Sequence, residues 1–298
     1  MRLSSVLVQV LSLTGLASAV ALGKRQSTTQ VYKFSSPKSA EGIAARSNGN
    51  LLVSFFDKGE MWEIDTAKKT AAKIATFTDT TCSAAIAEVA PDVFAVVAGQ
   101  YAQAGGNKPG SWGIWKVDFT SGSPVTSLLK KVPESGFWNG LTAFSNDTIL
   151  IGDASKGAVW RMNINTGEYS IAIQDASMAP SSGMPMGIDG VRYANGSIYY
   201  TNIFANRLYK VAVDSTGKAT GTPTAIWTNQ MADDMAVGPD GSVYVAASNG
   251  IKKVTSSGEV SNAVTVQSAT SCTFGKTEAD KNTLYIAGSN GVISSVKV

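Results

Sequence analysis

Four oxygen-bearing side chains recur in one local setting along this chain. Glu41, Asn139, Asp189 and Asp233 each stand just ahead of a short apolar run, in "EGIA", "NGLT", "DGVR" and "DDMA". At the corresponding place in two further segments the sequence offers Cys82 or Ser83, and Cys272. Three carboxylates and an amide gathered closely have two ways out of their mutual repulsion: they take up protons or recruit a cation. A protonated acid in such a group can assist loss of a leaving group, with Glu41, Asp189, Asp233 and Asp234 as candidates that the sequence does not rank. Asn139 can hydrogen-bond a developing oxyanion. As a metal site, Glu41, Asn139, Asp189 and Asp233 form an all-oxygen set that suits Ca²⁺ or Mg²⁺ better than a soft metal. The chain contains no histidine, which excludes a histidine-bound zinc and a Ser-His-Asp triad. An acid or amide before glycine is also ordinary turn chemistry, so the weight rests on the recurrence.

Residues this far apart in the chain need a repeating scaffold to meet. From Glu41 onward a segment recurs six times: an apolar strand, a turn rich in Gly, Asn and Asp, a second apolar strand, a Gly-containing turn, and a strand that often carries Trp or Tyr. A repeat of roughly 40 to 50 residues built only of short strands is the signature of a β-propeller blade. Blades begin near Glu41, Cys82, Asn139, Asp189, Asp233 and Cys272, which predicts an all-β, six-bladed propeller over 28–298 with almost no helix. The innermost strand of each blade lines the central channel, so the polar residues ahead of it converge on one mouth. The last copy stops one strand short, and "TTQVYKF" (Thr28 to Phe34) is free to supply that outer strand. Such a clasp removes an open sheet edge.

Large apolar residues sit close to the polar positions. Phe137 and Trp138 precede Asn139, Met184 and Met186 precede Asp189, Met231 precedes Asp233, and Phe274 follows Cys272. A Gly-rich insertion in the second blade, Gln100 to Ser111, adds Tyr101 and ends beside Trp112; it reads as a lid or as a loose excursion. These side chains either wall a pocket for small apolar substrates or pack in the core.

Residues 1–19 read as a signal peptide, with Arg2, an apolar run and Ala17-Ser18-Ala19. Residues 20–25 end in the dibasic pair Lys24-Arg25, a candidate propeptide boundary. A route through the secretory pathway, ending outside the cell or in a vesicle, follows from that leader. The sequons at Asn146 and Asn195 fit it as glycosylation sites. In an oxidising compartment Cys82 and Cys272 are expected to form a disulfide, against the alternative of two buried thiols. The net charge of +3 comes without a basic run, which gives nucleic acid no footing, and no later segment is apolar enough to span a membrane. A monomer is expected.

The polar pattern of Glu41, Asn139, Asp189 and Asp233 resembles that of the regucalcin and gluconolactonase propellers. That resemblance implies a divalent cation held by these four residues and polarising a sugar lactone. Asp189 stands where an Asn is usual, Asp233-Asp234 where Asp-Gly is usual, and the Arg and His of such sugar channels are missing. The leader, the dibasic site, "MPMGIDGVRY", "MADDMAV" and "SCTFGKT" are similar to secreted fungal propellers that include the hetero-Diels–Alderases of tropolone-sesquiterpenoid biosynthesis. This second likeness implies an enzyme that needs no cofactor and joins an o-quinone methide to an alkene of a humulene-type terpene. Three readings stand: a pericyclic enzyme, a metal-dependent lactone hydrolase, and a non-catalytic binding propeller.

Overall fold

The computed structural model describes residues 27–102 and 104–298; the leader and processing segments assigned to 1–19 and 20–25 lie outside the described residues. Six four-stranded antiparallel sheets are arranged as blades. Their innermost strands are Ala40–Ala45, Cys82–Ala90, Trp138–Ala143, Ile188–Ala194, Ala232–Val237 and Ala269–Phe274. Each of these packs against the next, and the sixth packs against the first, so the ring closes. Among the described residues the one helical element is the 3₁₀ turn Ala176–Met178. The chain is a six-bladed β-propeller.

Burial explains why these segments become blades. The second strands Leu51–Phe55, Thr148–Asp153, Ser197–Asn202, Val243–Ala247 and Thr283–Gly288 are buried at every residue. Alternation is lost there because neighbouring blades cover both faces of the sheet. Outer strands such as Thr70–Thr76 and Val125–Lys131 return to polar, exposed side chains. The apolar core is therefore distributed over the six blade–blade interfaces. Val97, Trp112, Trp138 and Trp160 fill the one between blades two and three, while Leu150, Val191 and Tyr200 fill the next. Each fully buried aliphatic or aromatic side chain contributes about 1.5 to 3 kcal/mol. That leaves the axis itself free for polar groups.

The N-terminal strand Thr29–Lys33 pairs antiparallel with Val292–Lys297, joining Thr29 to Ser295 and Lys33 to Val292. Phe34 then packs edge-on against Phe55 of blade one, with ring centroids 4.9 Å apart. The insertion in blade two is a short hairpin of Tyr101–Ala102 and Gly106–Asn107. It is fastened to the rim: Asn107 Oδ1 accepts from Trp112 Nε1 at 2.7 Å, and Asn107 Nδ2 donates to Gly136 O at 3.1 Å. Asn146 and Asn195 are both exposed, in the first turns of blades three and four.

The expected disulfide is absent. Cys82 and Cys272 are free, buried thiols in different interfaces. Pairing explains the separation. Cys82 lies opposite Gly99 before an irregularity in its strand, whereas Cys272 lies opposite Ile286 after the matching irregularity in blade six. The two sit at different heights with blade one between them, and Cys272 Sγ donates to Tyr244 O at 3.2 Å. Burial pushes both thiols up from their ordinary range.

Candidate functional site: a ring of β-bulges

The register of the inner strands shows how the polar residues are aimed. In blade one Ala40 pairs with Phe55 and the next pair is Ile43 with Val53, so Glu41 and Gly42 together face Ser54. The same bulge places Asn139-Gly140 opposite Gly152, Asp189-Gly190 opposite Thr201 and Asp233-Asp234 opposite Ala246. Bulges turn a side chain out of the sheet's alternation and recur beside active sites. Blade two carries Ala84-Ala85 there, and blade six shifts register at Thr270. The ring positions of blades two and six are thus Ala84 and Thr270, not Cys82, Ser83 or Cys272 as local sequence context implied.

Close backbone approach crowds the ring. A Cβ at Gly140 would lie 2.7 Å from Val191 N and inside contact distance of Asp189 O. Glycine there lets the inner strand of blade four press against that of blade three. Second-strand hydroxyls serve the freed bulge amides: Ser54 Oγ accepts from Gly42 N at 3.0 Å, and Thr201 Oγ1 from Gly190 N at 2.9 Å.

Asn139, Asp189 and Asp234 are buried, while Glu41 and Asp233 keep a narrow face on the channel and are enclosed otherwise. Asn139 Nδ2 donates to Asp189 Oδ1 and also faces Glu41. Asp233 is within hydrogen-bonding reach of Asp189. Burial, then the charge of Asp234, raises Glu41 to about 7 against the opposing hydrogen bond from Asn139. Burial first, then the neighbouring carboxylates, also holds Asp189 and Asp233 well above the usual carboxylate range. Each of these shifts favours the protonated carboxyl.

Asp234 plays a different part. Its Oδ2 accepts from Arg192 Nη2 at 2.6 Å and from Ser271 Oγ at 2.8 Å. Arg192 therefore does supply an arginine to the channel, which the sequence pattern did not reveal; its place two residues after the bulge in "DGVRY" was the available signal. Below it the channel opens into a cavity of about 410 Å³ lined by Thr142, Arg192, Phe274 and Lys276.

The donor set is chemically right for a hard cation, yet its present arrangement is that of a hydrogen-bond network. Asn139 turns its N–H groups toward the acids, and among the described residues no three acid or thiol side chains close on a point suited to a metal ion.

The apolar candidates divide into three groups. Trp112, Phe137 and Trp138 are fully buried core. Phe274 lies at the lower opening, far along the strand from the ring, and packs edge-on with Tyr244 at 5.1 Å. Met184 and Met231 are exposed, Met186 is half-buried, and Tyr101 is half-buried on the rim. Phe56, which sequence reading missed because it follows the core residue Phe55, completes a wall with Tyr101. Their centroids are 4.4 Å apart, Tyr101 stacks on Phe137 at 5.5 Å, and Phe137 contacts Trp112 at 5.2 Å. This wall reaches from blade one to the entrance of blade three. Asp153 holds that entrance: it is buried and accepts from Gly136 N at 2.8 Å, Phe137 N at 2.9 Å and Trp160 Nε1 at 3.0 Å. Beside the wall, over blade one, lies a cleft of about 970 Å³ whose lining includes Phe56 and Tyr101 but none of the ring residues.

The family model for the SMP-30/Gluconolactonase/LRE-like region matches residues 130–290, and the chain belongs to that family. Among curated proteins it is similar to a Phoma sp protein named "Putative hetero-Diels-Alderase", 26% identical over 83% of this chain and 82% of the relative. A Sarocladium schorii protein named "Putative hetero-Diels-Alderase asR5" is 22% identical over 83% of this chain and 74% of its own length. Among solved structures, a calcium-binding regucalcin from Agrobacterium tumefaciens superposes with a TM-score of 0.65 at 14% identity, covering 87% of this chain and 91% of its own; it shares the fold.

Proposed function

We propose that this chain is an enzyme that joins an o-quinone methide to an alkene of a humulene-type terpene by intermolecular hetero-Diels–Alder addition. The observation that carries the reading is the enclosed acid ring at the channel mouth, whose carboxyls are raised toward the protonated form; a separate cleft over blade one carries the aromatic wall. The names of the two fungal relatives support it. A ring carboxyl donates its proton to the hydroxyl of a hydroxymethyl tropolone or phenol, the C–O bond breaks and water leaves. The ring O–H of the same molecule then returns a proton to the carboxylate, so the dehydration balances as loss of one water. Asn139 and the remaining acids hydrogen-bond the quinone methide oxygen. The cycloaddition itself forms one C–C and one C–O bond and moves no proton. Holding both partners together supplies up to roughly 7 to 11 kcal/mol when alignment is ideal. Passage through the secretory pathway belongs to the same proposal and rests on the leader.

A second reading is a metal-dependent lactonase. The four oxygen side chains on equivalent bulges, in a family described by gluconolactonase, favour it. A bound Ca²⁺ or Mg²⁺ would polarise the lactone carbonyl. One experiment separates the readings: purified protein is given a hydroxymethyl tropolone with humulene, and separately a sugar lactone, with and without chelator. Acceleration and a single stereoisomer of the adduct, insensitive to chelator and lost in Glu41→Gln/Asp233→Asn, supports the first. Unchanged rate and stereochemistry rejects it, and chelator-sensitive lactone hydrolysis establishes the second.

A further inference from the structure

The sequon turn of blade three holds an aromatic ring at a fixed place. Phe144 directly follows the inner strand Trp138–Ala143, and Asn146 stands two residues further on. Phe144 N and Ser145 N both donate to Thr148 O, at 2.9 and 3.2 Å, which closes the turn. Asp147 pins it from within: its carboxylate accepts from Ser145 Oγ at 2.8 Å, Thr148 Oγ1 at 2.9 Å and Asn163 Nδ2 at 3.1 Å. Asn146, between these anchored residues, is exposed, and its side chain makes no hydrogen bond among the described residues. Phe144 is half-buried. Tyr193 of blade four holds its ring edge-on, with centroids 4.6 Å apart and planes at 60°, and a Cβ on Gly217 would stand 3.8 Å from it. The ring is thus braced from blade four while part of it stays in water. Residues two apart on an extended segment share a face, so the remaining face of Phe144 lies on the side from which Asn146 projects.

We propose that the first N-acetylglucosamine of a glycan on Asn146 rests its apolar face on the Phe144 ring. The C–H bonds on one face of a pyranose carry partial positive charge and meet the negative face of an aromatic ring. Attachment forms a bond from Asn146 Nδ2 to the anomeric carbon, breaks the bond of that carbon to the pyrophosphate of a lipid carrier, and releases the amide proton and the lipid pyrophosphate. The inference needs the secretory route but not the reaction proposed above. The turn ends the inner strand that Asn139 begins, so a glycan there leaves the acid ring uncovered.

A double-variant cycle tests the contact on protein made in a glycosylating eukaryotic host. Wild type, Asn146→Gln, Phe144→Leu and the two combined are prepared, with glycans trimmed to the first sugar. Mass spectrometry reads occupancy at Asn146, and urea unfolding reads the folding equilibrium constant. Leucine keeps apolar packing against Tyr193 but offers no aromatic face. Asn146→Gln is expected to lower the constant about 2- to 10-fold when Phe144 is present, as for neighbours in contact, and to leave it within about 1.5-fold in the Phe144→Leu background. Phe144→Tyr, which keeps the aromatic face, should retain the full effect of the glycan. Asn195→Gln, in the matching turn of blade four, should change the constant by the same factor in both backgrounds. An unglycosylated Asn146 in the secreted protein overturns the proposal. So does an equal loss from Asn146→Gln with and without the phenylalanine, or a Phe144→Tyr protein that behaves as Phe144→Leu.

Discussion

The raised carboxyls at the axis should make this protein lose stability as pH rises, opposite to the usual behaviour of paired carboxylates. Glu41 is raised from 4.5 to about 7, so between those values the folded protein holds a proton that the unfolded chain has released. Stability from this group is complete below the lower value and is lost as pH climbs through the upper one. The shift corresponds to about 3 kcal/mol, taking about 1.4 kcal/mol per pH unit. Asp189 and Asp233 are raised in the same direction and steepen the loss. Exposed acids such as Asp118 and Asp147, lowered by their hydroxyl neighbours, act in the opposite sense below the ordinary carboxylate range. The stability maximum therefore falls in mild acid. Urea unfolding of wild type and Glu41→Gln, from about pH 4 to about pH 9, measures this directly. The variant should show a flattened curve, because it lacks both Glu41's own contribution and the charge that helps raise Asp189 and Asp233. A wild-type protein more stable at about pH 8 than at about pH 5, or a variant that keeps the full slope, would refute the reasoning.

Two further outcomes follow from the geometry. Gly140→Ala should cost about 1 to 3 kcal/mol in urea unfolding, because the added Cβ meets the backbone of Asp189 and Val191, which cannot swing aside. Asp153→Ala should cost roughly 3 to 5 kcal/mol and lower activity further than stability alone explains, since it releases the Gly136 and Phe137 amides that set the entrance to blade three.

The blades were legible in the sequence because their inner strands are apolar along most of their length and many of their turns are marked by Gly, Asn or Asp. The strand "TTQVYKF" could be assigned to the last blade for a topological reason: the sixth copy lacked its outer strand, and Thr29–Lys33 does occupy that edge. The apolar wall was less legible. Phe137 and Trp112 lie in connections and Trp138 opens an inner strand, places where a large side chain is hard to assign to core from sequence, yet all three are buried behind the pinned hairpin and Asp153. Phe56 was invisible for the converse reason, standing next to a core residue of the same type. The cysteines were misjudged because similar neighbours, "TTCS" and "TSCT", conceal different positions relative to the bulge.

Blade five shows what only register could resolve. The sequence offers two adjacent acids, Asp233 and Asp234, without saying which faces the ring. Pairing of Ala232 with Ala247 and of Met235 with Val245 puts Asp233 at the ring position and Asp234 at the place held by glycine in blades one, three and four. A side chain is tolerated there because its carboxylate is received by Arg192 and Ser271. Its other oxygen has no partner and lies 2.5 Å from where a Cβ on Gly190 would be. The glycine kept at 190 is thus the condition for the acid gained at 234. That acid, in turn, is the charge that helps hold protons on Glu41, Asp189 and Asp233. Burial remains the larger cause of the raised carboxyls, and the one residue by which blade five departs from the repeat, matched by one arginine two positions beyond the neighbouring bulge, adds to it.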